Sequence, residues 1–121
     1  KTGDYSKTDA RTPSQRATED LELMNAWFGH FRTTFAEAMA SPLVYQRKEL
    51  PKLQKIKSTI ATLSLKTPCL AAVNQTRHEA VTLAIDWFAA NIAGDGEGGD
   101  DRLVHAGKAI EKAEAALKKC A

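Results

Sequence analysis

The sequence predicts an all-α fold, a four-helix antiparallel (up-down-up-down) bundle held by one disulfide. Apolar residues recur at steps of three and four in four separate segments, as on the buried face of a helix. Ala, Leu, Lys and Glu, which favour helix, are abundant, and no segment alternates as a strand would. The connections between the segments are short, which favours antiparallel neighbours.

Length and composition indicate one globular domain. The chain has 121 residues, of which 43% are hydrophobic and 26% are charged, so it can bury a core without a metal. A net charge of +2 does not indicate a nucleic-acid partner, and no run approaches the roughly 20 apolar residues of a membrane span. Residues 1–12 are polar and aperiodic, so we expect a leader or tether there and the bundle domain over 13–121. Membrane association is expected only through a tether that is not part of this sequence.

The first helix is predicted to begin near Thr12 or Ser14 and to end at Ser41-Pro42. Glu19 and Asp20 are expected to be exposed near its start, where acidic groups suit the helix dipole. Its buried seam is expected to comprise Ala17, Leu21, Met24, Phe28, Phe31, Phe35 and Ala38.

The second helix is predicted to begin at Pro51, because proline suits a first turn, with a short helical turn over 43–49 before it. Thr67 is a plausible N-cap for the third helix, with Pro68 as its first residue. The second seam comprises Leu53, Ile56, Ile60 and Leu63.

The third helix is predicted over 68–92 and is followed by a stretch rich in glycine and acidic residues. Asp100 or Asp101 is expected to cap the fourth helix. The third seam comprises Val73, Ala80, Val81, Ala84, Ile85, Phe88 and Ile92, and the fourth comprises Leu103, Ala106, Ile110, Ala113 and Leu117.

The two cysteines are predicted to form the disulfide. Cys69 opens the third helix and Cys120 closes the fourth, so an antiparallel hairpin that turns near Gly96 brings both to one end of the bundle. The alternative is a pair of free cytosolic thiols. Nothing would require two free thiols to lie at the same end of the bundle. A structural disulfide predicts an extracytoplasmic protein, either periplasmic or secreted.

Candidate catalytic and metal-binding groups do not form a recognisable site. His30, His78 and His105 are expected at different heights along the bundle, whereas the ligands of one ion lie at nearly the same height. The acidic stretch lacks the calcium-loop pattern, and no nucleophile motif is present. The sequence therefore predicts no catalytic residue, no metal, no cofactor and no enzymatic activity.

Two features are candidates for binding a partner. Lys48, Lys52 and Lys55, hereafter the basic stripe, share one face of the second helix by their spacing. They are expected to meet an acidic protein, an anionic lipid or another polyanion, the alternative being a solvated face. Trp27 and Trp87 each precede a seam phenylalanine and fall at the seam edge, where tryptophan completes a core or marks a binding surface.

The expected function is therefore that of a non-catalytic secreted or periplasmic protein that binds another macromolecule, an acidic protein in the first place. An inhibitor, an immunity-type protein or an envelope adaptor would fit. The alternative is a carrier of haem or another small apolar ligand in the bundle interior, for which His105 and Met39 are conceivable haem ligands.

Overall fold

The architecture is a packed set of four helices joined by short connections. The computed structural model of the chain describes residues 10–94 and 99–120. Within those ranges there is no strand, so the all-α prediction is confirmed. Residues 1–9 of the predicted leader and the predicted turn at Gly96 lie outside the described residues. The helices are α1 (Pro13–Ala40), α2 (Leu43–Ala61), α3 (Pro68–Ile92) and α4 (Gly99–Lys119).

Helix α1 has the ends that the sequence predicts. The Thr12 hydroxyl accepts a hydrogen bond from the Gln15 backbone N–H, and the Gln15 side chain accepts one from the Thr12 N–H. This reciprocal capping box satisfies two donors at the start of the helix. At the other end, Ser41 is extended and donates its N–H to the Ala38 carbonyl, and Pro42 follows.

Helix α2 is longer at its start than the sequence predicts. It begins at Leu43 and runs through Pro51, so the prediction of a start at Pro51 is wrong. Proline removes one backbone hydrogen bond from a helix interior. Leu50 and Leu53 pack into the same core on either side of it, and this burial offsets the loss. The helix ends at Ala61, so Leu63 packs against the core from the connection that follows.

A carboxylate of α1 holds the connection between α2 and α3. Asp20 is 3% exposed, and its Oδ2 accepts the backbone N–H groups of Lys66 and Thr67, each at 2.7 Å. The expectation that Asp20 is exposed is therefore wrong. Thr67 occupies the predicted N-cap position, but its side chain makes no capping bond.

The core extends along the bundle in two clusters. One lies in the middle of the helices, and the other lies beside the disulfide and includes Met24, Leu70, Val73 and Ala113. The predicted seams account for most of both clusters. The largest side chains that are less than 2% exposed are Phe88, Met24, Leu53, Ile60, Ile85, Val73 and Val81.

Helix α3 is the central element, because it packs against each of the other three helices. In contrast, no Cα atom of α1 lies within 8 Å of a Cα atom of α4 among the described residues. Closely packed helices approach to about 8–10 Å between axes, so α1 and α4 are joined by side chains and separated by open grooves.

Helix α4 differs from the sequence prediction at its start. It begins at Gly99, so Asp100 and Asp101 lie within its first turn and not at the predicted cap position before it. Leu103, which is expected in the seam, is 40% exposed. Ala106 and Ala113 are buried as expected.

Cys69 and Cys120 form the predicted disulfide, with Cα atoms 5.8 Å apart. About two turns further into both helices, Arg77 contacts Glu114 at 2.9 Å. These two contacts are in the register that an antiparallel α3–α4 pair requires. The up-down-up-down order of all four helices stays a prediction.

Candidate interaction surface

The basic stripe lies on the outer face of α2. Lys48, Lys52 and Lys55 are all exposed. Lys52 Nζ lies 3.2 Å from a Glu49 carboxylate oxygen, and Lys48 Nζ lies 5.6 Å from the centre of the Tyr45 ring. Glu49 pairs with one of the three ammonium groups, so the stripe keeps a net positive charge that is available to a partner.

A groove between α1 and α2 brings two of these lysines together with a tryptophan. Its volume is about 360 Å³. Trp27 is half-buried and meets the His30 ring edge-on, with centroids 5.6 Å apart. An apolar floor between ammonium groups can accept an apolar side chain flanked by carboxylates. The lining residues are Trp27, His30, Thr34, Lys52, Lys55, Ile56 and Thr59.

The remaining predicted binding residues are placed elsewhere. Trp87 is half-buried and packs on Phe35, with ring centroids 6.4 Å apart, and it does not line the α1–α2 groove. Lys48 lies one turn before Lys52 on the same helix and also does not line the groove. The structure therefore groups Trp27 with Lys52 and Lys55, and it leaves Trp87 in a core-completing position.

An exposed apolar cluster at the start of α2 was missed by the sequence analysis. Leu43, Val44 and Tyr45 are 63%, 73% and 53% exposed. Leu43 and Val44 border a groove of about 440 Å³ with Arg47 and Ile92. Exposed apolar residues that are contiguous in this way mark contact surfaces. The sequence does contain a signal for this cluster: three large apolar residues stand in a row. They lie before Pro51, outside the stretch from which the second helix is predicted.

The histidines do not converge. His30 and His105 are exposed, and His78 is half-buried. Burial and then the nearby Lys57 ammonium lower the pKa of His78, while Glu79 acts in the opposite direction. Among residues 10–94 and 99–120, no three His, Cys, Asp or Glu side chains are placed to hold a metal ion.

The interior that would hold an apolar ligand is occupied by side chains in the described part of the chain. Phe88, Met24 and Leu53 are among those less than 2% exposed. Met39 is 38% exposed and His105 is exposed as well. A haem between His105 and Met39 would therefore sit at the surface, and an interior ligand would require core side chains to move.

Comparison with protein-family models, with curated proteins and with solved structures found no match. In the ranges that the structure describes, no helix combines the length and the apolar character that crossing a bilayer requires. The disulfide is compatible with an oxidising, extracytoplasmic location.

Proposed function

We propose that this chain is a non-catalytic extracytoplasmic binding protein whose partner is an acidic protein that docks on the outer face of α2. The observation that carries this proposal is the α1–α2 groove, in which Trp27 lies beside Lys52 and Lys55. Aromatic residues that are partly buried at the centre of a contact contribute much of the binding energy. Charged residues around them increase the association rate. A role as inhibitor, immunity-type protein or envelope adaptor fits this mode of binding.

The test uses the oxidised protein as bait in an extract of its native envelope or secretion. The variant carries Lys48→Glu, Lys52→Glu and Lys55→Glu, and the control carries Lys108→Glu, Lys112→Glu and Lys118→Glu on α4. All six lysines are exposed, so each variant should change the stability by less than about 1 kcal/mol. Both variants change the net charge equally. The supporting result is an acidic protein that the wild type and the control retain and the α2 variant loses.

Kinetics with that protein then test the mechanism. The α2 variant should associate more slowly at low salt. The difference should shrink as salt is added, because the Debye length is about 8 Å at physiological ionic strength. Equal retention by all three proteins would show that the basic stripe is a solvated face. Loss of folding in the α2 variant, seen by circular dichroism, would show that the stripe is structural.

A further inference from the structure

A buried arginine lies on the opposite side of α1 from the α1–α2 groove. Arg77 of α3 is 4% exposed, and its Cζ lies 4.7 Å from the centre of the Phe28 ring. Its Nη1 donates to Asn25 Oδ1 at 2.7 Å, and its Nη2 donates to Glu114 Oε2 at 2.9 Å. Contacts to a ring, an amide and a carboxylate fix the guanidinium in one position before any ligand arrives.

The hydrogen bonds of this guanidinium are incomplete. Nε of Arg77 is buried and has no acceptor among the described residues, which is unfavourable for a charged group out of water. Nε and Nη2 form the edge that a carboxylate commonly takes with both of its oxygens. Glu114 contacts Nη2 with one oxygen, and its side chain is 47% exposed. The Nε half of this edge is therefore without a carboxylate among the described residues.

Arg77 lines a groove of about 440 Å³ between α1 and α4. On α1 its wall follows one helix face: Asn25, Phe28, Gly29 and Arg32. Ile110 and Glu114 form the α4 side. At Gly29 a Cβ would meet no heavy atom within 4 Å, so the glycine borders open space. This volume lies within the usual range of small-molecule sites.

The charges of the groove favour one negative charge. Its two guanidinium groups, Arg32 and Arg77, face one carboxylate, Glu114. Arg32 is exposed and has no hydrogen bond or ion pair with the rest of the described chain. Phe28 and Ile110 supply apolar walls beside these groups. We propose that this groove is a binding site for a small apolar carboxylic acid, whose carboxylate pairs with Arg77 and Arg32. The site is separate from the α2 surface.

The test is a titration of the oxidised full chain with 3-phenylpropionate, followed by ¹H–¹⁵N NMR. We expect saturable shifts at the Arg77 Nε–H and at the Gly29 amide, and none with the neutral analogue 3-phenylpropionamide. The Nε–H signal reports directly on the donor that has no partner within the described chain. If Arg77 had only a structural role, this signal would not shift when 3-phenylpropionate is added. The Lys48, Lys52 and Lys55 variant serves as a control and should bind 3-phenylpropionate like the wild type.

Three single variants test the geometry. Glu114→Gln removes the competing carboxylate and should tighten binding about two- to fivefold. Arg32→Gln removes an exposed cation and should weaken binding by a similar factor. Gly29→Phe should fill the groove and abolish binding, while Gly29→Ala should preserve it. Circular dichroism confirms that each variant is folded. A structural role alone predicts no gain of binding from Glu114→Gln.

Two results would overturn the proposal. The first is the absence of saturable shifts up to roughly 10 mM 3-phenylpropionate, a concentration well above the dissociation constant of a weak specific contact. This result would mean that water accepts the hydrogen bond of Arg77 Nε. The second is that a terminally blocked peptide with a central glutamate binds in the groove and 3-phenylpropionate does not. This result would make the groove a site for protein side chains.

Discussion

At the scale of single residues, His78 is the histidine with a distinct electrostatic environment. It is half-buried on α3, and Lys57 of α2 adds a positive charge nearby. Both features disfavour the imidazolium and lower the pKa of His78 below its ordinary value of 6.5. As the pH falls below about 6.5, the unfolded chain therefore takes up a proton before the folded chain does.

This difference predicts a loss of stability in acid. The free energy of unfolding should fall as the pH drops from about 6.5 through the lowered pKa of folded His78, and it should be restored above that window. The measurement is urea denaturation across this pH range. His78→Gln should flatten this part of the curve, whereas His105→Gln, at an exposed position on α4, should leave it in place. An unchanged slope in His78→Gln would contradict the prediction.

At the scale of helices, the anchoring of α3 to α1 depends on Asp20. Its carboxylate accepts two backbone N–H groups ahead of α3, and the N-cap residue Thr67 makes no side-chain capping bond. Asp20→Ala leaves both donors without their charged acceptor, so it should lower the free energy of unfolding by about 2–3 kcal/mol. Thermal or urea denaturation measures this loss.

The neighbouring residue provides the control for Asp20. Glu19 is exposed and pairs with Arg11 at the surface. Glu19→Ala should therefore lower the stability by less than about 1 kcal/mol. Equal losses in the two variants would show that the two backbone hydrogen bonds of Asp20 add little.

The helices also show how far periodicity predicts this fold. The seams of α1 and α3 and both ends of α3 follow from apolar spacing and proline positions. The start of α2 does not, because a proline at a possible first turn is also tolerated inside a helix when its neighbours are buried. Asp20 escaped prediction for a related reason: its partners are backbone groups 46 and 47 residues away, which leave no mark in the local sequence.

The candidate binding surface was predictable in part. The spacing of Lys48, Lys52 and Lys55 predicts one shared face, and the position of Trp27 predicts a seam edge. Their meeting in one groove depends on how α1 packs against α2. The site around Arg77 was not predictable, because a lone arginine in a helix reveals neither its burial nor its contact with Phe28.

At the scale of the whole molecule, the disulfide is the principal covalent constraint. Cys69 and Cys120 close a loop with a sequence separation of 51, and chain entropy assigns about 4 kcal/mol to a loop of this length. Reduction should lower the melting temperature accordingly, as measured by differential scanning calorimetry. A thiol reagent should label neither cysteine before reduction. Quantitative labelling of the native protein would contradict both the bond and the extracytoplasmic location inferred from it.

The bridge also determines how the molecule would respond to tension. A pulling force applied through residues 10 and 120 crosses from Cys69 directly to Cys120, so α3 and α4 bear none of the load. Helices α1 and α2 can unravel, but the extended length then stops near 200 Å, set by roughly 60 residues. In the reduced protein the same force could draw out about 370 Å. The oxidised molecule therefore has a fixed maximum extension under tension. Helices α3 and α4, which carry Arg77 and Glu114, lie within the disulfide-closed loop and are not stretched.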